Sequence, residues 1–180
     1  MTVTELAFIE LNPPHKYHDL PFPDRFHKIG TWQAEASTHP VRFFTDPINP
    51  AVICVVTGWR EPEHHKEWIK AGGGAKFQET VGPYVTVKAL HHLDIDFQEI
   101  PEKAQTIVVR EYKHADEVPQ EGRENGDADH RRADWVGQGI DFESPADPPV
   151  FFQLKAYLGA GGVYQLDGSD ALVFERITIF

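Results

Sequence analysis

The chain has 180 residues, with 17 basic and 28 acidic side chains and a formal net charge of −11. That balance, without a Lys or Arg run, argues against nucleic acid and against an anionic membrane surface, because phosphate binding needs clustered cations. The lone cysteine, Cys54, excludes an intrachain disulfide and cysteine-based zinc sites. The longest apolar run, Ala51 to Val56, is far shorter than the ~20 residues of a membrane helix. The N-terminus lacks a basic and then apolar leader, so a cytoplasmic protein is expected.

Thr4 to Leu11 reads as a strand, closed by Asn12-Pro13-Pro14. Pro23-Asp24 opens a helix whose Phe26, Ile29, Trp32 and Ala36 fall at helical spacing. Val41 to Phe44 is a short strand, and Ala51 to Trp59 is a near-continuous apolar strand covered on both faces. Pro62 to Ile69 is a helix with Pro in its first turn, broken at Gly72-Gly73-Gly74 and resumed over Ala75 to Thr80. Val85 to Phe97 reads as one long strand, and Ala104 to His114 as another.

From Ala115 to Pro148 the chain carries ten acids against three arginines and few aliphatics. The expectation is an exposed, mostly irregular excursion with one short helix at Asp129 to Val136. Strands are expected again at Val150 to Leu158, Val163 to Leu166 and Ala171 to Phe180.

The order β-α-β-β-α-β over residues 4 to 97 is the ferredoxin-like unit. Its two helices cover one sheet face, and the other face is too apolar to stay bare. The late strands would supply the covering sheet. The domain reading is a ferredoxin-like first half, 1–98, and a degenerate second half, 99–180, containing the acidic loop 115–148.

Several motifs resemble the dimeric α/β-barrel superfamily, and most closely its antibiotic-biosynthesis-monooxygenase-like branch in a two-half form. They are Pro40-Val41-Arg42-Phe43-Phe44-Thr45-Asp46, the segment Val55 to Ile69 with its Gly58-Trp59, His64-His65 and Trp68-Ile69, and His92-Leu93-Asp94-Ile95-Asp96. The resemblance implies an α+β fold, a ferredoxin-like dimeric α/β-barrel made of two fused halves, with a homodimer of first halves as the alternative. Such proteins include cofactor-free monooxygenases, cyclases, isomerases, lyases and haem-degrading enzymes, so the resemblance supports a fold better than a reaction.

Ten histidines stand out. No His-Glu-x-x-His is present, and neighbouring histidines on a strand point to opposite faces. No metal and no cofactor is therefore assigned, and most histidines are expected at the surface. His65 matches the helix histidine of the family and is a candidate general base facing the helix–sheet seam. On the strand after Val85, His91 joins the apolar row Ala89, Leu93, Ile95, while His92, Asp94 and Asp96 form a solvated or interface row, and a bulge would exchange the two, as the presence of His92 in the family motif allows. His91 is thus the second candidate base. Arg110 and Tyr112 share one strand face and could hold a developing anion. These four catalytic candidates, with Phe8, Trp59 and Trp68 as lining aromatics, are expected to border one cavity.

The functional expectation is a cofactor-independent enzyme. It would act by acid–base chemistry (cyclisation, isomerisation, elimination or oxygenation) on a hydrophobic aromatic or polyketide-like small molecule. The alternative is a non-catalytic binding or assembly module of the same fold.

Overall fold

The structure is a computed structural model that describes residues 2–119, 133–144, 149–159 and 171–177. Its strands are β1 (Val3–Leu11), β2 (Arg42–Thr45), β3 (Val52–Trp59), β4 (Val85–Leu93), β5 (Thr106–Tyr112), β6 (Trp135–Ile140), β7 (Phe151–Tyr157) and β8 (Leu172–Arg176). The α-helices are α1 (Phe22–Ser37), α2 (Pro62–Trp68) and α3 (Gly74–Thr80). A π-helical turn, Ile69–Gly73, joins α2 to α3, and Gly72 there adopts φ 114°, a backbone state that favours glycine.

All eight strands form one antiparallel sheet in the order β4-β1-β3-β2-β8-β5-β7-β6. The first four positions are the ferredoxin-like order that the β-α-β-β-α-β pattern demands. The last four repeat it, with β8, β5, β7 and β6 in the places of β4, β1, β3 and β2. The two groups join where Phe44 pairs with Arg176 and Thr45 with Glu175.

The outer edges also meet. Leu93 bridges Asp141, Asp94 N–H donates to the Ile140 carbonyl at 2.9 Å, and Phe142 N–H donates to the His92 carbonyl at 2.9 Å. The sheet therefore curls shut within one chain. Gly139 makes this closure feasible, because a Cβ there would lie 2.4 Å from the Asp94 carbonyl oxygen.

Strand alternation sorts the side chains into two cores. Leu6, Phe8, Phe44, Phe152, Leu154 and Phe174 pack together inside the curled sheet. That inner core draws on both groups of strands, as the apolar bare face required. Ala7, Ile9, Phe43 and Val55 face outward and are covered by Phe26 and Ile29 of α1. No helix among the described residues is long and apolar enough to cross a membrane.

Three sequence expectations change. Trp135–Ile140 is a strand, although the acidic excursion was expected to be irregular there. Gly137 and Gly139 interrupt its apolar pattern, because Trp135 lies over the first and β4 presses on the second. The expected helix at 129–136 is overturned at Trp135 and Val136, while 129–132 lie outside the described residues, as does the expected strand 163–166. The long strand from Val85 ends at Leu93. Beyond it Asp96 accepts from Gln98 N–H at 3.1 Å and caps a 3₁₀ turn, Phe97–Glu99.

Candidate functional site

The site is built on the helix-facing side of β1. There the outward row reads Glu5, Ala7, Ile9, a carboxylate at the head of an apolar series. Glu5 is 3% exposed. A buried carboxylate needs donors, and it has them. Trp59 Nε1, from the end of β3, donates to Glu5 Oε2. Gln33 Nε2, from α1, donates to both carboxylate oxygens at 3.1 and 3.0 Å.

Two imidazoles complete the cluster. In the β1–β4 register His92 sits directly opposite Glu5, so both side chains rise from the same face as close cross-strand neighbours. His65 comes from α2, which begins at Pro62 and places this residue over the sheet in its first turn. Its ring packs against both Trp59 (centroids 4.7 Å, planes 18° apart) and Trp68 (5.7 Å, 29°), which also touch each other at 5.8 Å. His65 Nδ1 is 3.2 Å from Glu5 Oε2 and 3.0 Å from His92 Nε2. A single ring nitrogen thus faces both an anionic oxygen and a second imidazole nitrogen.

The cluster has a route outward. His92 Nδ1 is 3.3 Å from Glu143 Oε1, a contact that is poorly aligned as a hydrogen bond. The same Glu143 oxygen is 2.9 Å from Lys66 Nζ. Burial dominates the electrostatics. It pushes the Glu5 carboxyl from its ordinary 4.5 up to about 7, against the lowering effect of Trp59 and Gln33. It lowers His65 from 6.5 to about 3, with His92 and Lys66 adding to the effect. His92 is also lowered by burial, partly offset by Glu143. Both imidazoles are therefore neutral at neutral pH.

Glu5, Gln33 and His65 form the polar end of a cavity of about 170 Å³ between sheet and helices. Its other walls are apolar and include Ile9, Phe26, Phe43, Trp68, Phe77 and Leu90. Three ligand atoms from Glu5, His65 and His92 lie within 4.8 Å of one another, which makes this, among the described residues, a group that could hold a metal ion.

The expected single cavity is corrected by the alternation of the sheet. His65 and Trp68 line the cavity, and Trp59 stacks on His65. Phe8 and His91 project from the opposite sheet face into the inner core, where His91 packs against Phe8 (6.2 Å) and Phe152 (4.7 Å). His91 does point inward as its apolar row implied, but it meets Asp141 (Nδ1 to Oδ2 2.8 Å) rather than His65. Arg110 and Tyr112 lie on β5, separated from β1 by β3, β2 and β8, and neither lines the cavity.

His92, expected on a solvated or interface row, is 1% exposed, because α2 and Glu143 cover it. Glu5 and Gln33 were not singled out by the sequence. Their available signal was a lone carboxylate in an apolar strand row, and an amide one turn beyond Ile29 and two beyond Phe26 on the buried face of α1.

No family model matches the sequence, and no curated protein matches it. Solved structures do. A proposed chlorite dismutase superposes with a TM-score of 0.55 at 7% identity, covering 99% of this chain and 96% of its own. A proposed monooxygenase from Lactobacillus acidophilus NCFM gives 0.55 at 10% identity, covering 98% and 93%. Chlorite dismutase from Candidatus Nitrospira defluvii in complex with imidazole gives 0.52 at 13% identity, covering 99% and 92%. At such identities the likeness is one of fold. The chain has the α+β architecture of the dimeric α/β-barrels, with its sheet closed internally.

Proposed function

We propose that the protein is an enzyme that performs acid–base chemistry on an apolar small molecule held in the helix-side cavity. The observation that carries this reading is the lining itself. Apolar side chains enclose the space, and the ionisable groups Glu5 and His65 stand together at one end, 3.2 Å apart. Apolar walls with a few convergent polar groups are the usual form of a small-molecule site. The walls bind the hydrocarbon or aromatic part of the substrate. The acidic carbon or hydroxyl then meets the polar end, where its proton is removed. The Trp59 and Trp68 rings hold the His65 imidazole in one orientation, which fixes the reacting geometry. A cyclisation, isomerisation, elimination or oxygenation of an electron-rich aromatic or polyketide-like molecule is compatible with this arrangement. The dissimilar relatives in fold, dismutase and monooxygenase alike, support an enzyme without selecting the reaction.

The test is binding of a small aromatic alcohol, 2-naphthol, followed by tryptophan fluorescence. Trp68 lines the cavity and Trp59 stacks on His65, so saturable quenching is expected. Leu90→Trp, at a half-exposed position in the cavity wall, should narrow the space and weaken binding at least tenfold with the fold intact. Equal binding in that variant would overturn the cavity as the site. Binding lost in Leu90→Trp with no turnover of any screened substrate by the parent chain would leave a binding module instead of this enzyme, and turnover unchanged in both Glu5→Gln and His65→Ala would overturn these two residues as the reacting groups.

A further inference from the structure

We propose that Glu5, His65 and His92 form a binding site for one divalent first-row transition-metal ion at the polar end of the cavity. The inference rests on reading that cavity as the reaction site, and it adds a cofactor that the sequence alone did not call for.

The geometry is the first argument. Ligand atoms about 2.0–2.2 Å from a common ion stand about 3.0–3.4 Å apart along the edges of its coordination polyhedron. His65 Nδ1 lies 3.0 Å from His92 Nε2 and 3.2 Å from Glu5 Oε2, and all three ligand atoms fall within 4.8 Å of one another. The two shorter spacings match adjacent edges of such a polyhedron, with His65 Nδ1 at their shared corner.

The second argument is the hydrogen-bond pattern. In the absence of an ion, His65 Nδ1 carries either a proton or a lone pair. A lone pair would face the Glu5 oxygen repulsively unless that oxygen were protonated. A proton would be shared between two acceptors. Either state is satisfied by a single proton, whereas a cation would accept lone pairs from all three groups at once.

The third argument is the surrounding support. Metal-bound carboxylates and imidazoles are held by outer partners. Trp59 Nε1 and Gln33 Nε2 orient the Glu5 carboxylate. Glu143 faces the far nitrogen of His92 at 3.3 Å, and Lys66 steadies Glu143 at 2.9 Å. Burial completes the picture, since all three candidate ligands are buried and a surface ion pair would need no such enclosure.

The donor set of two imidazoles and one carboxylate suits zinc, cobalt, iron or manganese better than calcium or magnesium. Glu5 and His65 open onto the cavity, so further coordination positions would face the substrate. An ion there increases the acidity of a bound hydroxyl or water. The reaction class proposed above is unchanged, and its acid–base work gains a Lewis acid.

Cobalt(II) is the probe. The full chain, stripped with chelator, is titrated while visible ligand-field absorption and native mass are followed. One cobalt per chain is expected, with zinc displacing it. His65→Ala and His92→Ala should each weaken binding at least a hundredfold, with circular dichroism confirming the fold. Should either fail to fold, Glu143→Gln serves, since loss of an outer partner should weaken binding about tenfold. The double variant His15→Ala/His18→Ala should bind as the parent does. The proposal is overturned by absence of one-to-one binding, by unchanged affinity in the folded site variants, or by loss of binding in the His15/His18 double variant. 2-Naphthol binding by the stripped chain reports the cavity separately, so either reading can fail alone.

Discussion

Replacing Glu5 by Gln should change the pH dependence of stability by an amount that follows from its burial. In the metal-free chain the Glu5 carboxyl is raised from 4.5 to about 7, mainly by desolvation. A group with a raised folded-state value contributes stability that is fully present below 4.5 and is lost as pH rises to about 7. The whole displacement corresponds to about 3 kcal/mol. His65 works in the other direction. Its folded value is lowered to about 3, so its contribution is present above 6.5 and is lost as pH falls. In the parent chain these two trends oppose each other below pH 6.5, which makes the raw pH profile a poor test. The difference between parent and Glu5→Gln isolates the carboxylate. Gln keeps an oxygen for Trp59 and never ionises. The gap in unfolding free energy, from urea denaturation with chelator present, should shift in favour of the variant by about 2–3 kcal/mol between about pH 5 and pH 8. A gap that stays constant over that range would show that Glu5 is not ionising in a desolvated site and would refute the reasoning.

Gly139→Ala should destabilise the barrel closure by about 1–3 kcal/mol in urea denaturation, since its methyl would strike the Asp94 carbonyl oxygen at 2.4 Å; an unchanged midpoint would contradict the edge contact. Phe174→Ala opens the inner core, where Phe174 is 1% exposed, and should cost about 3–5 kcal/mol. Because Phe174 lies on the far side of the sheet from the cavity, the same variant, while folded, should bind 2-naphthol like the parent in the fluorescence titration. Asp141→Asn weakens the acceptor of His91. With a neutral amide in place of the charged acceptor at this buried contact, the variant should lose about 1–2 kcal/mol in urea denaturation, and an unchanged midpoint would contradict the contact.

The fold was legible because its signals are local and repeated. Pro62 and Gly72 bracket α2 and the turn after it, and the apolar run to Trp59 demanded cover on both faces. β6 was hidden because Gly137 and Gly139 stand where an apolar side chain would mark a strand, and acids surround them. The site was only half legible. His65 could be placed on the seam from its spacing to Trp68 and Ile69. Its partner could not, because strand pairing decides it. Register sets His92 across from Glu5 and His91 across from Leu6, and one sequence does not print that register. Arg110 and Tyr112 share a face as their alternation said, yet the strand order sends that face elsewhere.

A histidine-resolved NMR titration of the metal-free chain with 2-naphthol locates the reaction site on one face of the sheet or the other. The ring signals of His65 and His92 should move together on saturation, while those of His15, His18 and His91 stay in place. A response confined to His91, on the inner face beside Phe8 and Phe152, would contradict this and would move the reaction site to the other side of the sheet.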